Sequence, residues 1–242
     1  MTLVAPKEAI ILAGGMGTRL RSVVADVPKP MAPVGGRPFL EYLMDYWMGQ
    51  GIERFSLSVG YLGDIIREHF GSEYRGAPID YIIEIEPLGT GGGLKHVINS
   101  KSWESPEVVV FNGDTWFAVD LEKLTKDHRQ NHGAITIALK RIVENDRYGA
   151  VGVDQQQKIT AFGIQTSGTC FINGGCYLLN TEWLHKEMVN MPDKFSLEQD
   201  FLVPAAEQGY VSASLQDVIF LDIGIPADYM QASNVICNKG KI

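Results

Sequence analysis

The sequence predicts one α/β domain on a mixed, mainly parallel sheet, and three observations carry that expectation. A chain of 242 residues, 45% hydrophobic and 21% charged, holds enough apolar surface for one large core. Short apolar runs alternate with helical periodicity through the first half, which is the pattern of βαβ units. In the second half strand-like runs follow one another with fewer helices between them, so the sheet becomes mixed. No internal repeat, low-complexity tract or Pro/Gly/Ser linker divides the chain, and residues 1–242 are expected to form a single domain.

Ala9-Ile10-Ile11-Leu12 is a continuous apolar run stopped by glycines, as a strand buried on both faces would be. Further strands are predicted over 55–59, 79–85 and 108–111, then over 134–139, 149–153, 159–164, 171–179 and 211–215. Residues 39–47, apolar at Phe39, Leu40, Leu43, Met44 and Trp47, predict a core-facing helix, as does the pattern Ile65, Ile66, His69, Phe70. Helices are also expected at 182–188, at 196–208 and from Ala227 onward. Ser196, ahead of Leu197-Glu198-Gln199, is the expected N-cap of the second.

Composition excludes several functions. A formal net charge of -8 argues against a protein that coats nucleic acid, so any bound anion must be gripped locally. No run of about 18 apolar residues and no basic-then-apolar leader occurs, so neither a membrane partner nor secretion is expected. Cys170, Cys176 and Cys237 form no CxxC pair, which suggests neither a disulfide framework nor a zinc cage and fits a reducing cytoplasm. Cys170 and Cys176 read as small buried hydrophobes. The five histidines lack metal-ligand spacing, and His128 and His132 read as the solvated face of a polar helix end.

The glycines cluster at Gly14, Gly15 and Gly17, at Gly89 and Gly91 to Gly93, and at Gly174 and Gly175, mainly at strand ends where ligands would bind. In Leu12-Ala13-Gly14-Gly15-Met16-Gly17-Thr18-Arg19-Leu20, a turn after a buried strand, successive backbone N–H groups could converge on a phosphate. The segment is not a P-loop, and Leu20 stands where the dinucleotide fingerprint needs a third glycine, which disfavours a nicotinamide dehydrogenase. Arg19 adds a planar cation suited to bidentate phosphate contacts. Alone, the loop reads either as such a site or as a tight turn.

That segment is followed by Pro28-Lys29-Pro30-Met31, Glu84-Ile85-Glu86-Pro87-Leu88-Gly89-Thr90-Gly91-Gly92, Asn112-Gly113-Asp114, Ile172-Asn173-Gly174-Gly175 and Leu221-Asp222-Ile223-Gly224. In this order, over about nine-tenths of the chain, the motifs resemble the sugar-1-phosphate nucleotidyltransferases, or nucleotide-sugar pyrophosphorylases. With Asp146-Arg147-Tyr148-Gly149, Phe195-Ser196-Leu197-Glu198 and Asp222-Ile223-Gly224-Ile225-Pro226, the chain is similar to the guanylyltransferase branch that acts on a heptose 1-phosphate. The resemblance implies a Rossmann-like, three-layer domain of the nucleotide-diphospho-sugar transferase type. Its N-terminal part would bind nucleotide and about 130–242 the sugar phosphate. The implied reaction is Mg²⁺-dependent condensation of GTP with a sugar 1-phosphate to a GDP-sugar and pyrophosphate, for cell-surface polysaccharide synthesis. Relatives often form dimers or tetramers, which leaves a homo-oligomer open. A mannose-1-phosphate guanylyltransferase, a UTP- or dTTP-dependent transferase and a non-catalytic nucleotide-sugar-binding regulatory subunit stay open, although retention of Arg19, Lys29, Asp114 and Asp222 argues against the last.

By the same resemblance, Arg19 grips the triphosphate and the leaving pyrophosphate, and Lys29, stiffened between two prolines, bridges the attacking phosphate and the α-phosphate. The nucleotide set is Leu12, Ala13, Gly14, Gly15, Gly17, Thr18, Glu84, Pro87, Gly89, Thr90, Asn112 and Gly113. Glu84 would read the base, because a carboxylate accepts two hydrogen bonds and guanine offers adjacent N1–H and N2–H donors; Glu86 is the other reading. Asp114 and Asp222 are implied metal ligands, although singly each also reads as a turn cap. Gly149, Asn173, Gly174 and Glu198 are the sugar set, with helix capping the other reading of Glu198. Many relatives place a Glu-Lys pair before the sugar-binding strand. Here the stretch reads Phe162-Gly163-Ile164-Gln165, which leaves Arg147 or another nearby base to hold the sugar phosphate. No general base is needed, since a phosphomonoester with a second pKa of about 6 is already ionised.

Overall fold

The structure, a computed structural model, describes residues 5–20, 22–143, 147–166 and 168–239; Asp146 and the side chain of Cys237 lie outside the described residues. In chain order the elements begin β1 (Glu8–Ala13), β2 (Pro33–Val34), β3 (Arg37–Pro38), α1 (Phe39–Gly49), β4 (Arg54–Val59), α2 (Gly63–Phe70), β5 (Glu73–Tyr74) and β6 (Ala77–Ile83). They continue α3 (Gly89–Ser100), β7 (Glu107–Asn112), β8 (Thr115–Phe117), α4 (Leu121–Gln130), β9 (Ile135–Ile142), β10 (Ala150–Val153), β11 (Ile159–Ile164) and β12 (Cys170–Asn180). The last are α5 (Thr181–Met188), a π-helix (Leu197–Leu202), α6 (Val203–Glu207), β13 (Val211–Leu215), β14 (Phe220–Asp222) and α7 (Pro226–Lys239).

β6, β4, β1 and β7 run parallel in that order, and the long β12 then joins β7 antiparallel and carries β9 and β10. The continuous apolar run of β1 is explained by cover on both faces. Ala9, Ile11 and Ala13 pack with Phe39, Leu43 and Trp47 of α1, while Ile10 packs with Leu94, Val97 and Ile98 of α3. Helices α1, α2, α4 and α7 contribute to the first cluster and α3, α5 and α6 to the second, which gives three layers in a single α/β domain. Among the described residues no helix is long and apolar enough to cross a membrane.

Three departures from the sequence expectation have physical causes. Helix α3 starts inside the second glycine cluster, where its glycines serve close packing, as described below. The helix expected over 196–208 is two helices, a π-helix and α6, because Pro204 lacks the N–H that a continuous α-helix needs. Its Ser196 cap does form, with Oγ accepting from the Gln199 amide at 3.2 Å. His128, expected on a solvated face, is only 4% exposed, and its Nδ1 lies 2.8 Å from Thr136 Oγ1.

Burial drives the pKa of His128 down from 6.5 to about 4, against the opposing charge of Glu107. The unfolded chain therefore takes up this proton near pH 6.5 and the folded one only near 4. The contribution is complete above pH 6.5 and is lost as pH falls toward 4, by about 3 kcal/mol. Urea unfolding at pH 7 and pH 4.5 should show a larger loss in the wild type than in His128→Gln. Equal losses would refute this role.

Candidate active site

Two cavities open side by side at the carboxyl ends of the parallel strands, one of about 250 Å³ and one of about 300 Å³, and they share Thr90 and Asn112. The first is walled by Leu12, Ala13, Gly14, Gly15, Gly17, Glu84, Pro87 and Gly89 together with Lys29 and Asp114. Met16, Pro30 and Gly93 also line it, although no sequence signal singled them out as contacts. Three expected residues stand apart. Gly113 lies behind the loop, its amide donating to the Leu12 carbonyl at 2.9 Å, and Thr18 and Arg19 are exposed beyond the wall. Arg19 makes no hydrogen bond or ion pair with another described residue, and its charge is felt at the Tyr148 hydroxyl.

Pairing of β8 with β14, Thr115 opposite Asp222, brings two distant carboxylates together. The Ile223 amide donates to the Asp114 carbonyl at 3.1 Å and fixes the junction. Lys29 opens a 3-10 turn (Lys29–Met31) whose Pro30 is buried. Its stem packs under Gly17, where a Cβ would lie 3.3 Å from Lys29 Cβ and φ is +58°. The lysine is thereby aimed between the carboxylates: Nζ is 2.5 Å from Asp114 Oδ2 and 3.9 Å from Asp222 Oδ1, with 10% of the side chain exposed. Asp222 Oδ1 accepts from the Gly224 amide at 2.7 Å, and Oδ2 faces Arg147 Nη2 at 3.0 Å. Among the described residues no group of three His, Cys, Asp or Glu side chains forms a metal cage. Two hard carboxylates beside an open cavity nonetheless suit Mg²⁺, which takes few protein ligands and completes its shell with phosphates and waters.

Glu84, not Glu86, faces the first cavity. Oε1 accepts from Ser58 Oγ at 2.7 Å and Oε2 from the Leu88 amide at 3.2 Å. Both Gly14 and Gly93 make room for it: a Cβ would come within 2.2 Å and 2.8 Å of Oε1. The carboxylate is thus braced from below and keeps lone pairs for a ligand. Gly91 and Gly92 serve packing. At Gly91 a Cβ would meet the Phe195 ring at 2.3 Å, and at Gly92 the Asp193 carbonyl at 2.1 Å, so this cluster lets the 193–197 segment lie on α3. The Leu197 amide donates to Thr90 Oγ1 at 3.1 Å and ties that segment to the wall shared by the two cavities.

The second cavity is lined by Asn173, Gly174, Gly175, Tyr177, Glu198, Tyr148 and Asp222. A register break in β12 between Asn173 and Tyr177 opens it, and Gly175, at φ +68°, leaves space that Asn112 Nδ2 fills. Asn173 Nδ2 donates to Glu198 Oε2 at 2.9 Å and to the Tyr177 hydroxyl at 3.1 Å. Burial pushes the Tyr177 pKa upward, so the hydroxyl stays protonated and can donate. Capping at the π-helix start falls to Ser196 and Asp200, which leaves Glu198 facing the cavity. Gly149 packs on Gly163, and Tyr148 takes its place in the wall.

With this geometry in view, the comparisons with known proteins agree on one family. Residues 8–239 match the model described as nucleotidyl transferase. The chain is 44% identical to a D-glycero-alpha-D-manno-heptose 1-phosphate guanylyltransferase of Aneurinibacillus thermoaerophilus, covering 93% of this chain and 96% of that one. The enzyme of that name from Campylobacter jejuni is 42% identical, over 92% and 96% of the two chains. The crystal structure of HddC from Yersinia pseudotuberculosis complexed with GMP-PN superposes with a TM-score of 0.83 at 36% identity, covering 95% of this chain and 99% of that one.

Proposed function

The chain belongs to the nucleotidyl transferase family, and on that premise we propose that it condenses GTP with D-glycero-α-D-manno-heptose 1-phosphate, giving the GDP-heptose and pyrophosphate. The observation that carries this reading is the junction of two cavities at Thr90 and Asn112, with Asp114 on one wall, Asp222 on the other and Lys29 between them. Nucleotide occupies the first cavity, built from the N-terminal part of the chain. The heptose phosphate occupies the second, built largely from 130–242. Release of pyrophosphate that depends on both GTP and the sugar 1-phosphate tests the reading.

A phosphate oxygen of the sugar attacks the α-phosphorus of GTP, forming the new P–O bond as the bond to the β-phosphate breaks and pyrophosphate departs. Both reactants are anions, so positioning and charge compensation matter more than a base. Lys29, held at the junction, bridges the attacking and α-phosphate oxygens; Arg19, exposed beyond the wall, closes on the β- and γ-phosphates. Asp114 and Asp222 would hold Mg²⁺, which would supply charge neutralisation of the triphosphate. Asn173, Glu198 and the Gly174 backbone take the sugar hydroxyls. Synthesis of a nucleotide-activated heptose in the cytoplasm, for cell-surface polysaccharide, is the corresponding role.

Glu84 reads guanine. Its braced carboxylate offers acceptors to N1–H and N2–H, whereas Gln would present a donor to one of them. Glu84→Gln should therefore lower the kcat/KM preference for GTP over the other three nucleoside triphosphates by about tenfold or more. An unchanged preference would reduce Glu84 to a brace for the glycine loop.

A further inference from the structure

We propose that Arg147 is a phosphate ligand for the sugar 1-phosphate, parked between Asp222 and Asp228 until a divalent cation takes Asp222. The proposal rests on the guanylyltransferase reading above. Arg147 Nη2 lies 3.0 Å from Asp222 Oδ2, Nη1 donates to Asp228, and the guanidinium sits 4.9 Å from the Tyr148 ring centroid. Since Tyr148 and Asp222 both line the second cavity, the guanidinium stands at its rim. Burial lowers the Arg147 pKa, but the hydrogen bond to Asp228 and the charges of Tyr148, Asp222 and Asp228 outweigh it, so the group stays cationic.

The charge balance explains why this position is temporary. Among the described residues, the carboxylates of Asp114, Asp222 and Asp228 face the cations Lys29 and Arg147. Asp222 is compensated from both sides, by Lys29 toward Oδ1 and Arg147 at Oδ2. A divalent cation on Asp222 competes with the guanidinium for the same carboxylate, because two cations on one oxygen repel at close range. Asp228, in the first turn of α7, remains as a tether, so the displaced guanidinium moves by a rotation and does not leave the rim. The Arg147 side chain is 30% exposed, which leaves it room to turn. The planar fork of N–H donors then matches a phosphate oxygen pair.

The test has two parts. Calorimetric titration of Mn²⁺ into the substrate-free protein should show several-fold tighter binding in Arg147→Ala than in the wild type, because the competitor for Asp222 is gone. Steady-state kinetics should show KM for the sugar 1-phosphate raised by about tenfold or more in Arg147→Ala, with KM for GTP within about twofold and partial recovery in Arg147→Lys. Unchanged or weaker Mn²⁺ binding overturns the parking, and an unchanged sugar KM, or an equal rise in both KM values, overturns the phosphate contact. If Arg147→Ala does not fold, Arg147→Gln takes its place in both arms. Failure of the wild type to release pyrophosphate would contradict the underlying reading instead, and the Mn²⁺ titration would still decide the parking.

Discussion

Lys29→Ala is expected to lose about 100-fold or more in turnover, the usual effect of removing one preorganised donor from a charge-building transition state. Its Nζ is the cation at the junction of the two cavities, 2.5 Å from Asp114 and 3.9 Å from Asp222. Ammonium aimed by a proline-flanked turn and a lysine stem packed under Gly17 loses little entropy when substrates arrive. Its contribution should therefore appear in kcat more than in KM for either substrate. Quenched-flow or steady-state pyrophosphate release, with thermal melting to show that the variant is folded, measures this. Near-normal turnover in a folded Lys29→Ala would remove Lys29 from the chemistry.

Asp222→Asn should raise the Mg²⁺ concentration for half-activation by about tenfold or more, with a matching loss of turnover at limiting metal. Asp222 is better built for this than an isolated surface carboxylate. Its side chain is 16% exposed, Oδ1 is oriented by the Gly224 amide at 2.7 Å, and a Cβ at residue 224 would crowd that oxygen at 2.7 Å. The amide oxygen of Asn can keep the Gly224 bond but carries no charge for a metal. Asp114→Asn should shift the same constant, because Asp114 faces the same lysine from the other wall. Mg²⁺ titrations of pyrophosphate release that give the wild-type constant for both variants would show that neither carboxylate holds the metal.

The parallel half of the sheet was legible because each strand is a run of apolar residues covered on both faces, as Ile10 and Ile11 illustrate by packing into different clusters. The Ser196 cap and the core role of Trp47 were legible for similarly local reasons. Elements whose formation depends on distant partners were not. The apolar run Val218-Ile219-Phe220-Leu221 reads as a strand leading into Asp222, and β14 forms there, but its pairing with the three-residue β8, which joins Asp114 to Asp222, has no local periodic signature. Helix α3 was hidden because Gly91, Gly92 and Gly93 have poor helix propensity, and the space they leave is used by Phe195, the Asp193 carbonyl and Glu84. His128 is not legible as buried because its neighbours in the sequence are polar, while its bond is to Thr136 on β9.

At the site, order along the chain pointed to many of the residues that line the two cavities, and three dimensions sorted them. Glu84 and Glu86 are two apart and chemically alike, and only the brace from Ser58 and Leu88 separates them. Glu198 was a cap or a ligand by sequence, and the capping bonds of Ser196 and Asp200 assign capping elsewhere. Gly149 is displaced from the cavity wall by its packing on Gly163. The pairing of Arg147 with Asp222 and Asp228 carried no signal, because they lie 75 and 81 residues away.

The most direct test is a matrix of GTP, ATP, UTP and CTP against D-glycero-α-D-manno-heptose 1-phosphate, mannose 1-phosphate and glucose 1-phosphate, read as pyrophosphate released with Mg²⁺ present. The expected result is turnover that requires both substrates and is fastest for GTP with the heptose phosphate. Absence of pyrophosphate across the whole matrix, from protein that binds GTP, would contradict the account.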